Sequence, residues 1–198
     1  MLESLAHLDA RLFMLINGIH HPPLDALFLI ITQFGNGWVA VPLIGAIIAF
    51  VTPRKYWVKA LVCAALAGTL AGTLNTQIKR LVDRPRPLLY FNQAGTPAYD
   101  VHVAGKPLRR RSFPSGHSST AFAAATILAF FFRRWFFLAF VPAIFIAWSR
   151  VYLGAHFPLD TLGGAAVGGG TTFCAVWLFF RLTRLPLPLP LRWSHAER

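Results

Sequence analysis

Residues 111–132 read RSFPSGHSSTAFAAATILAFFF, a polar turn with proline and glycine followed directly by a long apolar run. About 20 mostly apolar residues are needed for one helix to cross the hydrocarbon core of a bilayer. Ser115 stands where a helix N-cap is expected, because its side-chain oxygen can accept a free backbone N–H of the first turn. The stretch therefore predicts a membrane-spanning helix that begins at a polar site.

The rest of the chain has the composition of an integral membrane protein. Of its 198 residues, 56% are hydrophobic and 13% are charged, a balance that is unusual for a soluble domain. The five apolar runs cover residues 24–51, 56–78, 115–132, 135–152 and 158–180. The first run contains Gly35, Asn36 and Gly37, so a tilt or a break is expected there. These features predict an all-α membrane bundle of about five transmembrane helices, with six possible.

The chain is predicted to form a single domain over residues 1–198. Residues 1–22 lack the basic start and cleavage site of a signal peptide and are predicted to form an amphipathic helix at the membrane interface. Residues 88–113 are predicted to be an extracytoplasmic lid loop. Residues 182–198 are predicted to be a cytoplasmic tail, because the sequence LPLPLPL at 185–191 cannot continue a helix.

Small residues inside the apolar runs are interpreted as packing residues. Gly164 and Gly168 are four residues apart, and Gly68 and Gly72 repeat this spacing. A glycine-rich run can cradle a phosphate, but within an apolar span it more often lets helices approach closely. Both pairs are therefore predicted to lie at helix–helix contacts.

The chain is strongly basic, with 19 Lys and Arg against 7 Asp and Glu and a net charge of +12. Long apolar runs separate the basic clusters, so anionic lipid headgroups and phosphates suit this chain better than nucleic acid. Cys63 and Cys174 both lie within apolar runs. Neither a disulfide nor a metal site is expected from them.

Basic residues near the ends of the spans predict the orientation in the membrane. If the five spans alternate, one face receives Arg54, Lys55, Arg133, Arg134, Arg181, Arg184 and Arg192. Short basic connections accumulate on the cytoplasmic side. Residues 79–113 then lie on the opposite side although they are also basic, and charge placed against this rule indicates function.

The first candidate cluster follows the second span. Lys79 is near the end of that span, and Pro85 and Pro87 cannot be accommodated in a continuing helix. Each proline holds the preceding arginine, Arg84 or Arg86, in an extended conformation. Favourable interaction with the helix dipole accounts for Lys79 but not for two arginines fixed by prolines, which indicates an anion site.

The second cluster is the PSGH turn that opens the third span. Ser115 is the expected N-cap, and Gly116 permits close approach of the backbone to a ligand. Free N–H groups at a helix N-terminus bind anions. His117 then stands in the first turn, beside any anion bound there.

The third cluster lies between the fourth and fifth spans, in SRVYLGAHFPLD at residues 149–160. Asp160 follows His156 by four residues and can reach a ring nitrogen if the turn is helical. A carboxylate in this position fixes the imidazole tautomer and leaves the other nitrogen free as nucleophile or base. The alternative for Asp160 is a purely structural role as an acid at a helix N-terminus. Arg150 adds a cation, and all three clusters emerge on the same membrane face.

These clusters resemble, at full spacing and in order, the three-part signature of the type 2 phosphatidic acid phosphatase family. The first part is a lysine followed after six residues by Arg-Pro, the second is Pro-Ser-Gly-His, and the third is Ser-Arg, five residues, His, three residues, Asp. The matching residues are Lys79, Arg86 and Pro87, then Pro114 to His117, then Ser149, Arg150, His156 and Asp160.

The resemblance implies a role for each of these residues. His156 is expected to be the nucleophile that becomes phosphorylated, with Asp160 holding its ring, and His117 is expected to protonate the leaving oxygen. The phosphate oxygens are expected to be bound by Lys79, Arg86, Ser115, Gly116 and Arg150. Arg84 is an alternative to Arg86, because it also precedes a proline. No metal ion and no cofactor are implied.

The resemblance also implies an activity and a location. The expected activity is hydrolysis of a membrane lipid phosphate or pyrophosphate monoester. The candidate substrates are undecaprenyl pyrophosphate, phosphatidylglycerol phosphate and phosphatidic acid. The basic run Arg109 to Arg111 keeps a lipid A 1- or 4'-phosphatase open as an alternative, and the same site can serve a lipid phosphotransferase. The expected partners are an anionic lipid and the bilayer, in the bacterial inner membrane, with the site facing the periplasm or exterior.

Overall fold

The computed structural model describes residues 2–93, 100–132 and 136–184, and most of these residues lie in helices, whereas residues 100–115 form a connection without a helix. The helices are α1 (Leu2–Asn17), α2 (Pro22–Gln33), α3 (Gly37–Val51), α4 (Trp57–Val82), α5 (Pro87–Gln93), α6 (Gly116–Phe131), α7 (Phe136–Tyr152) and α8 (Pro158–Thr183). A short 3-10 turn at Arg54–Tyr56 precedes α4. The predicted all-α class is confirmed.

The first apolar run breaks into two helices, α2 and α3, at the predicted position. Asn36 caps α3, because its side-chain oxygen accepts the backbone N–H of Trp38 at 3.1 Å. Gly35 lies in the turn so close to α7 that a β-carbon at this position would lie 2.6 Å from a methyl carbon of Ile146. The turn therefore needs a glycine for packing as well as a cap to start the next helix.

The number of long apolar helices is smaller than the predicted number of spans. Two stretches of the described residues are long and apolar enough to cross a membrane, residues 54–92 and α8, and a third qualifies if α1 and α2, bent by 116°, count as one broken span. The apolar helices α3 and α7 are shorter. Their crossing of the membrane stays a prediction.

Helix α6 is the centre of the bundle and packs against α3, α4, α7 and α8. Most of its buried residues are alanine, serine or threonine, and such small side chains let several helices approach one axis. At one end of the bundle, Ile48, Phe131, Val176 and Phe180 form an apolar core. The polar motifs lie at the other ends of the same helices.

The predicted close packing is confirmed for one glycine pair and wrong for the other. A β-carbon on Gly164 would lie 2.4 Å from the carbonyl oxygen of Ser115, so α8 packs directly on the backbone of α6. Gly68 and Gly72 have no atom of a neighbouring segment within 4 Å of the β-carbon position. They line a cavity of about 600 Å³ between α3, α4 and α6 instead.

The basic residues expected on the cytoplasmic side gather at the apolar-core end, as far as they are described. Arg54 and Lys55 precede α4, and Arg181 and Arg184 lie at the end of α8. Both helix ends pack into the core that contains Phe180. Arg133, Arg134, Arg192 and the tail after residue 184 lie outside the described residues.

Helix α1 has two distinct faces. Leu5, Leu8, Leu12 and Leu15 are exposed, whereas Asp9, Phe13 and Asn17 are buried. The buried residues recur every four positions and therefore share one face of the helix. The predicted N-terminal helix is present, but its inner face carries polar groups; its location at the membrane interface stays a prediction.

Candidate active site

The first cluster lies where α4 ends. Asp83 caps this helix in a left-handed conformation with a φ of 37°, and the chain then turns toward α5. Lys79, in the last turn of α4, donates to the backbone carbonyl of Arg111 at 3.0 Å. The lysine thus reaches the polypeptide that leads into the PSGH turn.

Arg86 lies against the imidazole of His156. Its Nη1 is 3.2 Å from Nε2 of His156 and donates to the carbonyl of Ala155 at 2.9 Å. Its Nε donates to the carbonyl of Arg110 at 2.9 Å, and the residue is 8% exposed. Arg84 points elsewhere, to the carboxylate of Asp160 at 2.7 Å. Of the two arginines, Arg86 is the one at the ring nitrogen expected to react.

The PSGH turn is tied to the start of α8. Ser115 is fully buried, caps α6, and donates its backbone N–H to the carbonyl of Asp160 at 2.8 Å. Gly116 lies beside Asn75, whose amide nitrogen would be 3.8 Å from a β-carbon on the glycine. His117 follows in the first turn, with the turn at Gly35 packed against it.

His156 lies between α7 and α8 and is 2% exposed. Its Nδ1 is 3.6 Å from Oδ2 of Asp160, which is longer than a hydrogen bond, and no other hydrogen-bond partner of Nδ1 occurs among the described residues. The predicted pairing with Asp160 is therefore close but not a direct hydrogen bond.

Burial also sets the protonation state of His156. Burial away from water lowers the pKa of the imidazole from 6.5 to about 3, and the nearby positive charges of Arg86 and Arg150 lower it as well. Asp160 acts in the opposite direction and raises this pKa. A buried imidazole is easier to keep neutral than charged. The ring is thus uncharged at neutral pH, the state in which a ring nitrogen can act as a nucleophile.

Asp160 also has the structural role that was the alternative interpretation. Its Oδ2 accepts the backbone N–H of Phe157 at 2.8 Å, which caps α8, and accepts the hydroxyl of Ser112. Its Oδ1 accepts from Arg84. The carboxylate is fully buried and held by several donors, so its position next to the imidazole is fixed.

Arg150 completes the cationic side of the site from the last turn of α7. Its Nη1 donates to the hydroxyl of Thr32 in α2 at 2.8 Å. Its Nε is buried and has no hydrogen-bond partner among the described residues. A buried guanidinium nitrogen without a partner is costly, and a bound anion would satisfy it.

Three residues of this site were not singled out from the sequence. Asp9 of α1 pairs with Arg84, Ser112 bonds to Asp160, and Thr32 bonds to Arg150. One feature of the sequence could have indicated Asp9: it shares a helical face with Phe13 and Asn17, and acidic residues are rare in this chain. Ser112 and Thr32 resemble many other serines and threonines in the chain.

The predicted lid loop, residues 88–113, is described only in part, and its role as a lid stays a prediction. Residues 94–99 lie outside the described residues, and α5 and residues 100–113 lie on either side of them. Backbone carbonyls of Arg110 and Arg111 accept from Arg86 and Lys79. No group of three or more histidine, cysteine or acidic residues that could hold a metal ion occurs among the residues that the structure describes.

A helical membrane bundle that carries these three motifs at one end is expected to be a membrane-bound phosphatase. Comparison with known proteins supports this class. Residues 56–184 match the model of the PAP2 superfamily. The chain therefore belongs to the PAP2 superfamily, which confirms the resemblance seen in the three motifs.

Two relatives named as phosphatases are similar to most of this chain. The chain is 32% identical to a lipid A 4'-phosphatase from Bacteroides thetaiotaomicron, over 91% of this chain and 79% of the relative. It is 27% identical to an undecaprenyl-diphosphatase from Sulfolobus acidocaldarius, over 85% of this chain and 77% of the relative.

A solved structure gives the same result. The transmembrane PAP2-type phosphatidylglycerolphosphate phosphatase from Bacillus subtilis matches with a TM-score of 0.70 and 27% identity, over 90% of this chain and 87% of that chain. The protein is thus an integral membrane enzyme of the phosphoric ester hydrolase class, as predicted.

Proposed function

We propose that this protein hydrolyses a membrane lipid phosphate or pyrophosphate monoester through a phosphohistidine intermediate and without a metal ion. The observation that supports this most directly is the environment of His156. Its Nε2 lies 3.2 Å from a guanidinium nitrogen of Arg86, and its Nδ1 faces the Asp160 carboxylate at 3.6 Å. An anion bound to Arg86 would lie against a neutral, nucleophilic ring nitrogen.

In the first step, the lone pair of Nε2 of His156 forms a bond to phosphorus while the bond from phosphorus to the lipid oxygen breaks. The leaving oxygen takes its proton from His117. The Asp160 carboxylate stabilises the positive charge that develops on the imidazole. Phosphoryl transfer depends mainly on such positioning and electrostatic stabilisation.

In the second step, a water oxygen forms a bond to phosphorus and the bond between nitrogen and phosphorus breaks, which returns the electron pair to His156. His117, now neutral, accepts the proton of the attacking water. The products are inorganic phosphate and the lipid that has lost it, and both histidines return to their starting states.

The phosphate oxygens are bound by Lys79, Arg86, Arg150, Ser115 and the Gly116 amide. Lys79 donates to the backbone carbonyl of Arg111, and Arg86 donates to that of Arg110. A phosphate carries the charge opposite to these donors and can accept two parallel N–H groups of one arginine, whereas a backbone carbonyl is neutral. Phosphate is therefore the better partner for these cations, which supports their assignment as ligands.

The two ends of the bundle support a location for the site. Arg54 and Lys55 before α4, and Arg181 and Arg184 at the end of α8, lie at the apolar-core end, opposite the polar motifs, and short basic connections favour the cytoplasm. The site then opens to the periplasm or exterior of a bacterial inner membrane. The lipid enters sideways, so that its phosphate reaches the cations and its chains remain in the bilayer.

Lipid A is a second candidate substrate class, favoured by the arginine run beside the site. The side chains of Arg110 and Arg111 are 68% and 62% exposed, and Arg109 is exposed as well. Exposed guanidinium groups suit a headgroup with several phosphates. The lipid A 4'-phosphatase among the relatives supports this alternative.

The test is phosphate release by the purified, chelator-treated protein from undecaprenyl pyrophosphate, phosphatidylglycerol phosphate, phosphatidic acid and lipid A. His156→Ala is measured alongside, with His7→Ala as a control at an exposed position of α1. We expect release that is lost only in His156→Ala, together with an acid-labile phosphoenzyme in the wild type.

The outcomes separate the competing functions. The ranking of the four lipids identifies the substrate class. Release that survives in His156→Ala contradicts the mechanism. Absence of release, with transfer of phosphate to an added lipid acceptor, would identify a phosphotransferase instead.

A further inference from the structure

Helix α1 places a buried carboxylate behind the site. Asp9 is 1% exposed, and its Oδ2 lies 2.7 Å from Nη2 of Arg84. Its Oδ1 accepts the backbone N–H of Leu159, in the first turn of α8, at 2.9 Å. The same side chain thus contacts both Arg84 and the helix that carries Asp160.

Arg84 bridges two carboxylates. Its Nη1 lies 2.7 Å from Oδ1 of Asp160, while Nη2 binds Asp9. The guanidinium carbon lies 4.4 Å from the centre of the Phe157 ring, so the group is held in position on its flat face as well. The planar fork of arginine suits such a bridge better than the single ammonium of lysine.

The charges in this bridge determine what Asp160 can do for His156. Arg84 and Asp160 alone would form a neutral pair, and a neutral pair stabilises a developing positive charge poorly. With Asp9 included, the three groups carry a net charge of −1. Charge interactions are strong in such a buried environment, because little water screens them.

We propose that Asp9 is a positioning residue that acts through Arg84 to hold Asp160 in place and to keep net negative charge behind His156 during phosphoryl transfer. This inference rests on the proposed function, because it assigns His156 as the nucleophile. Asp9 does not contact the phosphate pocket, so its effect is on the chemical step rather than on substrate binding.

Other charged and titratable groups also surround His156, and they stay unchanged in the test. Those that act on His156 directly are Arg86 between α4 and α5, Arg150 of α7 and Asp160 of α8. Lys79 of α4 and His117 of α6 interact with the same two arginines. The cations among them bind substrate in the proposed mechanism. A change at Asp9 should therefore leave KM largely unaltered.

The experiment is a double-mutant cycle on phosphate release, with Asp9→Asn, Arg84→Gln and the two combined. The asparagine keeps the shape of Asp9 and an oxygen for the N–H of Leu159, but removes the charge. We expect kcat to fall about tenfold in each single variant, with KM within about twofold of the wild type. Asp9→Asn loses the net negative charge behind His156, whereas Arg84→Gln loses the group that holds Asp160 in place. In the double variant, kcat should be no lower than in the less active single variant, because both changes break the same bridge of Asp9, Arg84 and Asp160.

Asp25→Asn is the matched control. Asp25 also anchors an N-terminal helix to the rest of the chain, since it accepts from Tyr152 at 2.9 Å and lies 3.0 Å from a ring nitrogen of His102. It has no contact with Arg84 or Asp160. Removal of the Asp25 charge should leave kcat near the wild-type value if Asp9 acts through its charge on Arg84 and Asp160.

Three results would overturn the inference: unchanged kcat in Asp9→Asn, multiplying effects in the double variant, or a rise in KM at constant kcat. If Asp9→Asn does not fold, Arg84→Lys takes its place, because lysine keeps the charge but not the fork. A lower kcat is expected there, and an unchanged one overturns the bridge.

Failure of this inference differs from failure of the proposed function. If the proposed function is wrong, the wild type forms no phosphohistidine or His156→Ala stays active. If only the role of Asp9 is wrong, the wild type forms phosphohistidine and Asp9→Asn forms it at the same rate.

Discussion

Replacement of Gly168 by alanine tests whether the contact between α6 and α8 sets the geometry of the site. A β-carbon at this position would lie 2.0 Å from the carbonyl oxygen of Ser119, 2.6 Å from its carbonyl carbon and 2.7 Å from its α-carbon. All three atoms belong to the backbone, so no side chain can rotate away. The two helices must separate instead.

The size of the shift follows from ordinary contact distances. Nonbonded carbon atoms prefer separations of about 3.5–4.0 Å, so the contact must widen by roughly 1 Å or more. Ser119 lies one turn after Ser115 on α6, while Asp160 lies two turns before Gly168 on α8. The phosphate-binding turn would therefore move away from Asp160 and His156.

We expect two measurable effects of Gly168→Ala. Overpacking destabilises a folded protein by about 1–3 kcal/mol, which should lower the melting temperature in detergent. Misplacement of reacting groups by about 1 Å can cost about 100-fold in rate, so kcat for phosphate release should fall by up to that factor.

Gly170→Ala is the matched control, because this exposed glycine on the same helix has no atom of a neighbouring segment within 4 Å of its β-carbon position. It should keep both the melting temperature and kcat. If Gly168→Ala retains kcat within about threefold, the close contact does not determine the geometry of the site and the reasoning fails.

Other predictions concern the cations and the buried histidine. Thr32→Val removes the hydroxyl that accepts from Arg150; the lost hydrogen bond is worth about 1.5–3 kcal/mol at a charged group, so kcat should fall about tenfold, and an unchanged kcat would show that Arg150 needs no support from α2. Lys79→Ala should lower kcat by about 100-fold through lost stabilisation of the transition state, and unchanged kinetics would remove Lys79 from the site. Chelator treatment should leave phosphate release unchanged, and recovery of lost activity by one added divalent cation would contradict the metal-free mechanism. The depressed pKa of His156, about 3 against 6.5, means that the unfolded chain binds a proton over this range and the folded protein does not. The contribution of neutral His156 to the free energy of unfolding is thus complete above pH 6.5 and is lost as the pH falls toward 3. The melting temperature of the wild type should therefore drop between pH 7 and 5, and that of His156→Asn should drop less.

The parts of the site that could be predicted from sequence are those set by local chemistry. The helix α4 ends at Val82, before Pro85, and Pro87 is the first residue of α5, a position where its missing N–H breaks no helical hydrogen bond. Ser115 caps α6 through its own side chain. His156 precedes the N-cap of α8, Phe157, and Asp160 lies in the first turn of this helix, so the short separation in sequence keeps the two side chains close. Each of these features depends on a few neighbouring residues, so spacing alone indicates it.

The parts that could not be predicted depend on contacts between distant segments. Arg84 and Arg86 both precede a proline, and only their three-dimensional partners distinguish them, a carboxylate pair for one and an imidazole for the other. The same limit explains the error at Gly68 and Gly72. A pair of small residues does not show whether another helix or a cavity lies next to it.

The contacts of α1 have a consequence for how the enzyme is made. Asp9 bonds to groups 75 and 150 residues further along the chain, and Asn17 bonds to the carbonyl of Tyr152, 135 residues away. Helix α1 thus finds the last of these polar partners, the backbone N–H of Leu159, only after the start of α8 has been synthesised. Completion of the site is a late event in biosynthesis, and a chain that stops before α8 holds the carboxylate of Asp9 without its partner on that helix.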